Sequence, residues 1–222
     1  MGSRIMHYCI SSLIADKLEI EHKSEFMLGG IAPDIHGLMG VAKGVTHFKD
    51  FDDNGKSHIN ILRFYETYKD VIHEPFYLGY LCHLVSDVVW LDVYFEIVEY
   101  VSPEQWVEKL NIAYGDFGKL NRRIIDHYSL RLQHHEIPII SICNYNVDFL
   151  PTLVELLGDD FSSNEEFKQE PLELFNNDNS QIHDYISRSV TQCIDTLTNL
   201  NIIDTLNSIH PENPKIKLIN KR

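Results

Sequence analysis

The residue types best suited to chemistry stand together in one short stretch, His83-Leu84-Val85-Ser86-Asp87. Four residues make about one helical turn, so an imidazole and a carboxylate at this spacing project side by side from one helix face. No other histidine of the chain has a carboxylate four residues further on. The pair is embedded among Leu, Val and Trp90, surroundings in which an ionised carboxylate without a partner is costly. Something must neutralise Asp87: His83 itself, a buried Arg, a neighbouring helix terminus, or a metal ion. Imidazole nitrogen and carboxylate oxygen suit Zn²⁺ and would equally accept Mn or Fe. At this point a structural ion pair and a hydrolytic metal site both remain open.

Other segments offer similar donors. Arg4-Ile5-Met6-His7-Tyr8 carries a histidine on a segment otherwise made for burial. Gly30-Ile31-Ala32-Pro33-Asp34-Ile35 puts an aspartate just after a proline, and Thr46-His47-Phe48 puts a histidine in a glycine-rich stretch. Taken singly, His7 reads as a hydrogen-bonded core histidine, Asp34 as a turn or cap residue and His47 as a solvated loop residue. His58, His73, His127, His134 and His135 are spare histidines, with His134-His135-Glu136 reading as a solvated cluster. His183-Asp184 invites comparison with HD phosphohydrolases, on a dipeptide alone.

The elements that must position these residues read as helices. Helical spacing over residues 4–18 sets Ile5, Cys9, Leu13 and Leu18 on one face, and Met27 to Asp34 reads as a short helix ended by its glycines and Pro33. Residues 35–56 read as a loop of about twenty residues, a length that is usually functional or disordered. A helix follows over 57–72. Pro75 opens the most apolar segment, to Val101, whose all-round apolarity belongs at the centre of a bundle. Pro103 starts a helix running to about His135 with a kink near Gly115, and Pro138 and Pro151 bracket a shorter one. Residues 164–179 read as loop or partial helix, 180–207 as an amphipathic helix, and 208–222 as a frayed tail. With no regular hairpin spacing, the expectation is one all-α domain over residues 1–207.

Composition narrows the function classes. Of 222 residues, 44% are apolar and 11% aromatic, enough for a sizeable core, while 19 Lys and Arg against 33 Asp and Glu give a net charge of −14. A surface that acidic repels phosphate backbones and anionic lipid headgroups, which argues against nucleic acid as a partner and against a stable membrane anchor. A bound metal can still reverse the sign locally for one anionic small molecule. The four cysteines are dispersed without a CxxC pair, no run approaches about 20 apolar residues, and no secretory signal is recognisable. The expectation is a cytoplasmic protein with reduced cysteines. Its oligomeric state, a homo-oligomer included, is left open.

Taken in order, His7, Ala32-Pro33-Asp34, His47-Phe48 and Gly79-Tyr80-Leu81-x-His83-x-x-x-Asp87 resemble the zinc-dependent phospholipase C family, which is related in fold to the S1/P1 nucleases. Asp116-Phe117-Gly118-Lys119-Leu120-Asn121 is similar too, though less specific. The resemblance implies a multi-helix bundle with zinc held between helices by His7, Asp34, His47, His83 and Asp87. It implies a metal-dependent hydrolase acting on a small-molecule phosphoester, with Asp34 orienting or deprotonating the attacking water and Tyr8, His36 and Phe48 lining the cleft. Where secreted members carry a further histidine this chain has Val93. It lacks a second HxxxE/D pair and begins Met1-Gly2-Ser3 where those enzymes use an N-terminal Trp. One or two ions are therefore expected rather than three. The alternatives are a non-catalytic helical binding module, with a structural metal or none, and an HD-like nucleotide phosphohydrolase.

Overall fold

A computed structural model of the chain describes residues 2–98, 102–162 and 165–203. Helix α1 (Arg4–Lys17) starts at Ser3, whose hydroxyl accepts a hydrogen bond from the Met6 amide at 3.3 Å and so satisfies one donor of the first turn. A short α2 (Lys23–Gly29) leads into a 3₁₀ turn, Ala32–Ile35, that begins around Pro33. The expected loop over 35–56 is built instead. It holds two single-turn helices, α3 (His36–Met39) and α4 (Lys43–Thr46), and an antiparallel hairpin of β1 (Lys49–Phe51) with β2 (Ser57–Ile59), Asp50 facing His58. Elements of three or four residues are too short to show a period. The hairpin's signal is local: Asp52 Oδ1 accepts from the amides of Asn54 and Lys56, and Gly55 supplies the left-handed φ of +76°.

Helix α5 is correspondingly shorter than expected, Ile61–Tyr68, because 57–59 are in the strand, and Asn60 caps it on the Arg63 amide. Helix α6 (Pro75–Ile97) is buried over most of its surface. By length and composition it is long and apolar enough to cross a membrane, contrary to the sequence expectation, yet 83% of the qualifying window is buried in the fold. It is the central helix of the bundle, packed against α1, α2, α5 and α9 (Ser180–Asn199). Two glycines set its distance to α2. A Cβ on Gly79 would lie 1.9 Å from the Phe26 carbonyl oxygen, and one on Gly29 would lie 2.0 Å from that of Phe76, so the two backbones touch.

Helix α7 runs Pro103–His127 without a break at Gly115 and stops eight residues before the expected His135. Ser129 takes φ +51° and the Leu130 amide reaches back to the Ile125 carbonyl, which closes the helix. Over residues 130–146 no helix or strand forms. Tyrosine hydroxyls of the bundle pair amides there: Tyr8 with Gln133, Tyr77 with Ser141 and Tyr68 with Cys143, at 2.8–2.9 Å. Pro151 opens α8 (Leu150–Phe161) rather than ending a helix, in the first turn where its missing N–H has no partner to lose. A 3₁₀ turn, Glu165–Gln169, precedes α9, which ends at Asn199. The expected tail, 208–222, lies outside the described residues.

Candidate metal centre

The folded chain brings His7 (α1), Asp34 (3₁₀ turn), His47 (just after α4) and His83 and Asp87 (α6) into one buried cluster. His7 Nε2 lies 3.3 Å from Asp87 Oδ1. His47 Nε2 lies 3.1 Å from His83 Nε2, 3.3 Å from Asp87 Oδ2 and 3.5 Å from Asp34 Oδ1. His83 Nε2 is 3.7 Å from Asp87 Oδ2 and 3.9 Å from Asp34 Oδ1, and the rings of His7 and His83 stack at 3.9 Å. The donor atoms form two overlapping groups, His7–His83–Asp87 and Asp34–His47–His83, each compact enough to hold one metal ion. None of the spare histidines belongs to either group.

The outer hydrogen bonds fix which nitrogen of each ring faces inward. His83 Nδ1 donates to the Gly30 carbonyl at 2.8 Å. Ser86 spends its hydroxyl proton on the His83 carbonyl at 2.8 Å, so the Ser86 oxygen accepts from His7 Nδ1 at 3.0 Å. His47 Nδ1 donates to the Lys43 carbonyl at 3.1 Å. In its neutral form each ring then carries its lone pair on Nε2, which faces Asp87 in all three, while those of His47 and His83 also face each other at 3.1 Å. Second partners of this kind orient metal-ligating histidines. His7 Nε2 and both Asp87 carboxylate oxygens make no hydrogen bond although they are fully buried. Packed lone pairs and carboxylate oxygens of this kind repel one another unless a cation lies among them.

Charge agrees. Burial pushes the Asp87 carboxyl up, but the Lys43 ammonium opposes it, and Asp87 is held well below the usual carboxylate range. Asp34 is likewise pushed up by burial and held well below the usual range by Lys43. Burial holds His83 well below the usual imidazole range, which keeps it neutral. Lys43, unremarked in the sequence because a lysine in a glycine-rich stretch carries no metal-ligand signal, places its ammonium 3.2 Å from Asp34 Oδ1 and 3.8 Å from Asp87 Oδ2. The Asp34 and Lys43 side chains are 14% and 22% exposed, against 0% for His47, His83 and Asp87. Solvent therefore reaches the cluster from the Asp34–Lys43 side.

The residues expected to line the cleft part ways. His36 meets the His47 ring edge-on at 5.5 Å. Tyr8 does not line it: its hydroxyl accepts from Gln133 and meets His135 Nε2 at 3.2 Å. Phe48 is packed against Phe64, Tyr68 and Tyr80. His135 is buried rather than solvated, held by the Ser24 carbonyl at 2.9 Å. Asp116 is a loop anchor, accepting from the amides of Glu173, Leu174 and Phe175. His183 meets the Tyr128 hydroxyl at 3.1 Å, while Asp184 is exposed and pairs with Arg188 at 3.4 Å. That dipeptide belongs to no compact donor group among the described residues.

A helical bundle enclosing a His/Asp centre that could hold metal is thus the class of protein the fold and site define. A profile of the zinc-dependent phospholipase C family matches residues 6–130, a stretch that includes all five donor residues, and the chain belongs to that family. No curated protein and no solved structure matches it.

Proposed function

We propose that the protein is a zinc-dependent hydrolase that cleaves a small phosphoester. The observation that carries this reading is the convergence of three imidazole Nε2 atoms and two unpartnered Asp87 oxygens in one buried spot. Nitrogen and oxygen donors of this number suit zinc, in the two overlapping groups His7–His83–Asp87 and Asp34–His47–His83. A zinc ion bound there supplies Lewis-acid polarisation of a phosphoryl oxygen and lowers the pKa of a coordinated water towards 7.

The chain's own groups do the rest. Ser86, the Gly30 carbonyl and the Lys43 carbonyl hold the three rings in the required tautomer. Asp34 lies on the exposed side, and Lys43 keeps it ionised. A carboxylate stabilised in that way is a poor proton acceptor and a good hydrogen-bond acceptor, so its role is to orient the attacking water. His36, beside His47, borders the approach.

The test is elemental analysis of protein purified without added metal, followed by hydrolysis of bis(p-nitrophenyl) phosphate and a panel of phosphate esters. Zinc at about half an equivalent or more is expected, with activity lost on chelation and restored by zinc. His83→Ala should lose both metal and activity. Absence of any transition metal with no rescue by zinc or manganese refutes the proposal. Bound zinc with no cleavage across the panel makes the metal structural and the protein a binding module.

A further inference from the structure

We propose that Tyr185, on α9 and outside the stretch that matches the family, is a positioning residue of the metal centre, its hydroxyl donating to the side of Asp87 that faces His7. The inference rests on the metal-centre reading above and holds whichever donor group seats the ion. Each buried ring has an outer partner: Ser86 for His7, the Gly30 carbonyl for His83 and the Lys43 carbonyl for His47. Asp87 has no hydrogen bond at either oxygen. Its Oδ2 faces His47, His83 and the Lys43 ammonium, and its Oδ1 faces His7 Nε2 at 3.3 Å. Metal-ligating carboxylates are themselves hydrogen-bonded from outside, so Oδ1 calls for a donor.

Tyr185 brings one. Its side chain is fully buried and its hydroxyl makes no hydrogen bond, a costly state for a polar group unless the proton finds an acceptor. The ring meets Trp90 edge-on at 4.9 Å, and Trp90 lies three residues beyond Asp87 on the same face of α6. A Cβ on Gly2 would lie 2.9 Å from Tyr185 Oη and 3.4 Å from His7 Nε2. The hydroxyl and the inward nitrogen of His7 therefore border the same small space. The hydroxyls of Ser86 and Ser189 stand beside the phenol. Ser86 has committed its proton to the His83 carbonyl. Ser189, one turn further along α9 and likewise without a partner, can donate to the phenol oxygen. The phenol, protonated at neutral pH, keeps its own proton for Asp87 Oδ1, directly or across one water.

Tyr185→Phe keeps the ring against Trp90 and deletes only the hydroxyl. Without metal that hydroxyl has no acceptor to lose, so urea unfolding after chelation should show a stability unchanged or raised. Zinc affinity, read by competitive titration, should fall about 10- to 100-fold, and the visible absorption bands of the cobalt-substituted protein should shift. Tyr94→Phe is the control. Its hydroxyl is also buried and unpartnered and its ring stacks on Trp90 at 6.0 Å, yet its loss should leave zinc affinity unchanged. A Tyr185→Phe protein with wild-type zinc affinity, one whose loss of affinity Tyr94→Phe matches, or one already destabilised without metal overturns the role of Tyr185 and leaves the hydrolase reading standing. Affinity is read whether or not the protein cleaves an ester, so the two readings fail separately. A wild type that binds no metal overturns both.

Discussion

Replacing Gly79 by alanine tests whether helix spacing sets the metal centre. The new methyl carbon would sit 1.9 Å from the Phe26 carbonyl oxygen, a contact that real Cβ atoms essentially never make below 3.0 Å. That oxygen is not free to swing away, since it accepts the Gly30 amide at 3.0 Å. Helices α2 and α6 must therefore part by about 1 Å or more. Gly30 follows α2, and its carbonyl is the partner of His83 Nδ1 at 2.8 Å. A shift of that size stretches the bond past about 3.5 Å, where it ceases to be one. Overpacking costs about 1–3 kcal/mol and the lost hydrogen bond about 1 kcal/mol, while alanine's advantage over glycine in a helix returns about 0.5–1 kcal/mol. The net expectation is a loss of about 1–3.5 kcal/mol, which lowers the melting temperature by about 2–4 °C per kcal/mol in a chain of this length. Zinc affinity should fall about 10- to 100-fold through the disoriented ring. Urea unfolding of the metal-free protein and a competitive zinc titration measure the two effects. Gly118→Ala in α7, where an added Cβ meets nothing within 4 Å, is the control and should gain about 0.4–1 kcal/mol. A Gly79→Ala protein as stable as that control refutes the packing argument. One that is destabilised but binds zinc normally refutes the link from helix spacing to His83.

Three further outcomes follow from the same geometry. Asp116→Ala leaves the amides of Glu173, Leu174 and Phe175 without their shared acceptor, so urea unfolding should show a loss of about 2–4 kcal/mol, with zinc content unchanged by elemental analysis. Tyr8→Phe removes the acceptor of the Gln133 amide and should cost about 1–2 kcal/mol without altering metal content or turnover; a drop in turnover would put Tyr8 back in the cleft. Burial lowers the His135 pKa, against a smaller opposing effect of its bond to the Ser24 carbonyl. The folded state then binds that proton less readily than the unfolded one, so stability is full above about pH 6.5 and falls as the pH drops below it. His135→Asn should flatten that part of a melting-temperature profile against pH, and an unchanged slope would exclude His135 as its source.

What the sequence discloses follows the reach of each signal. The spacing of His83 and Asp87 is a statement about one helical turn, and α6 places both on its buried length. The all-α architecture was legible for the same reason, since α1, α6, α7 and α9 are long enough for a period to show. The hairpin Lys49–Ile59 and the one-turn helices α3 and α4 were not, because nothing periodic fits in three or four residues. Gathering His7, Asp34 and His47 around α6 depends on contacts far apart in sequence and came only from the order of motifs. Lys43 escaped because its importance lies in which carboxylates it meets. Tyr8 misled in the opposite way: next to His7 in sequence, it stands about 100° round the helix and serves the segment around Gln133.

The membrane-length apolarity of α6 also imposes an order on synthesis. Residues 75–97 leave the ribosome more than eighty residues before α9 begins at Ser180. Yet α9 covers one flank of that helix, down to the Cys193 thiol donating to the Cys82 carbonyl at 3.3 Å. At about 5–20 residues per second, the nascent chain holds that apolar flank uncovered for about 4–16 s. Slower translation lengthens that interval and a holding chaperone shields it, so yield from a heterologous host should depend on elongation speed and chaperone supply as much as on the stability of the finished bundle.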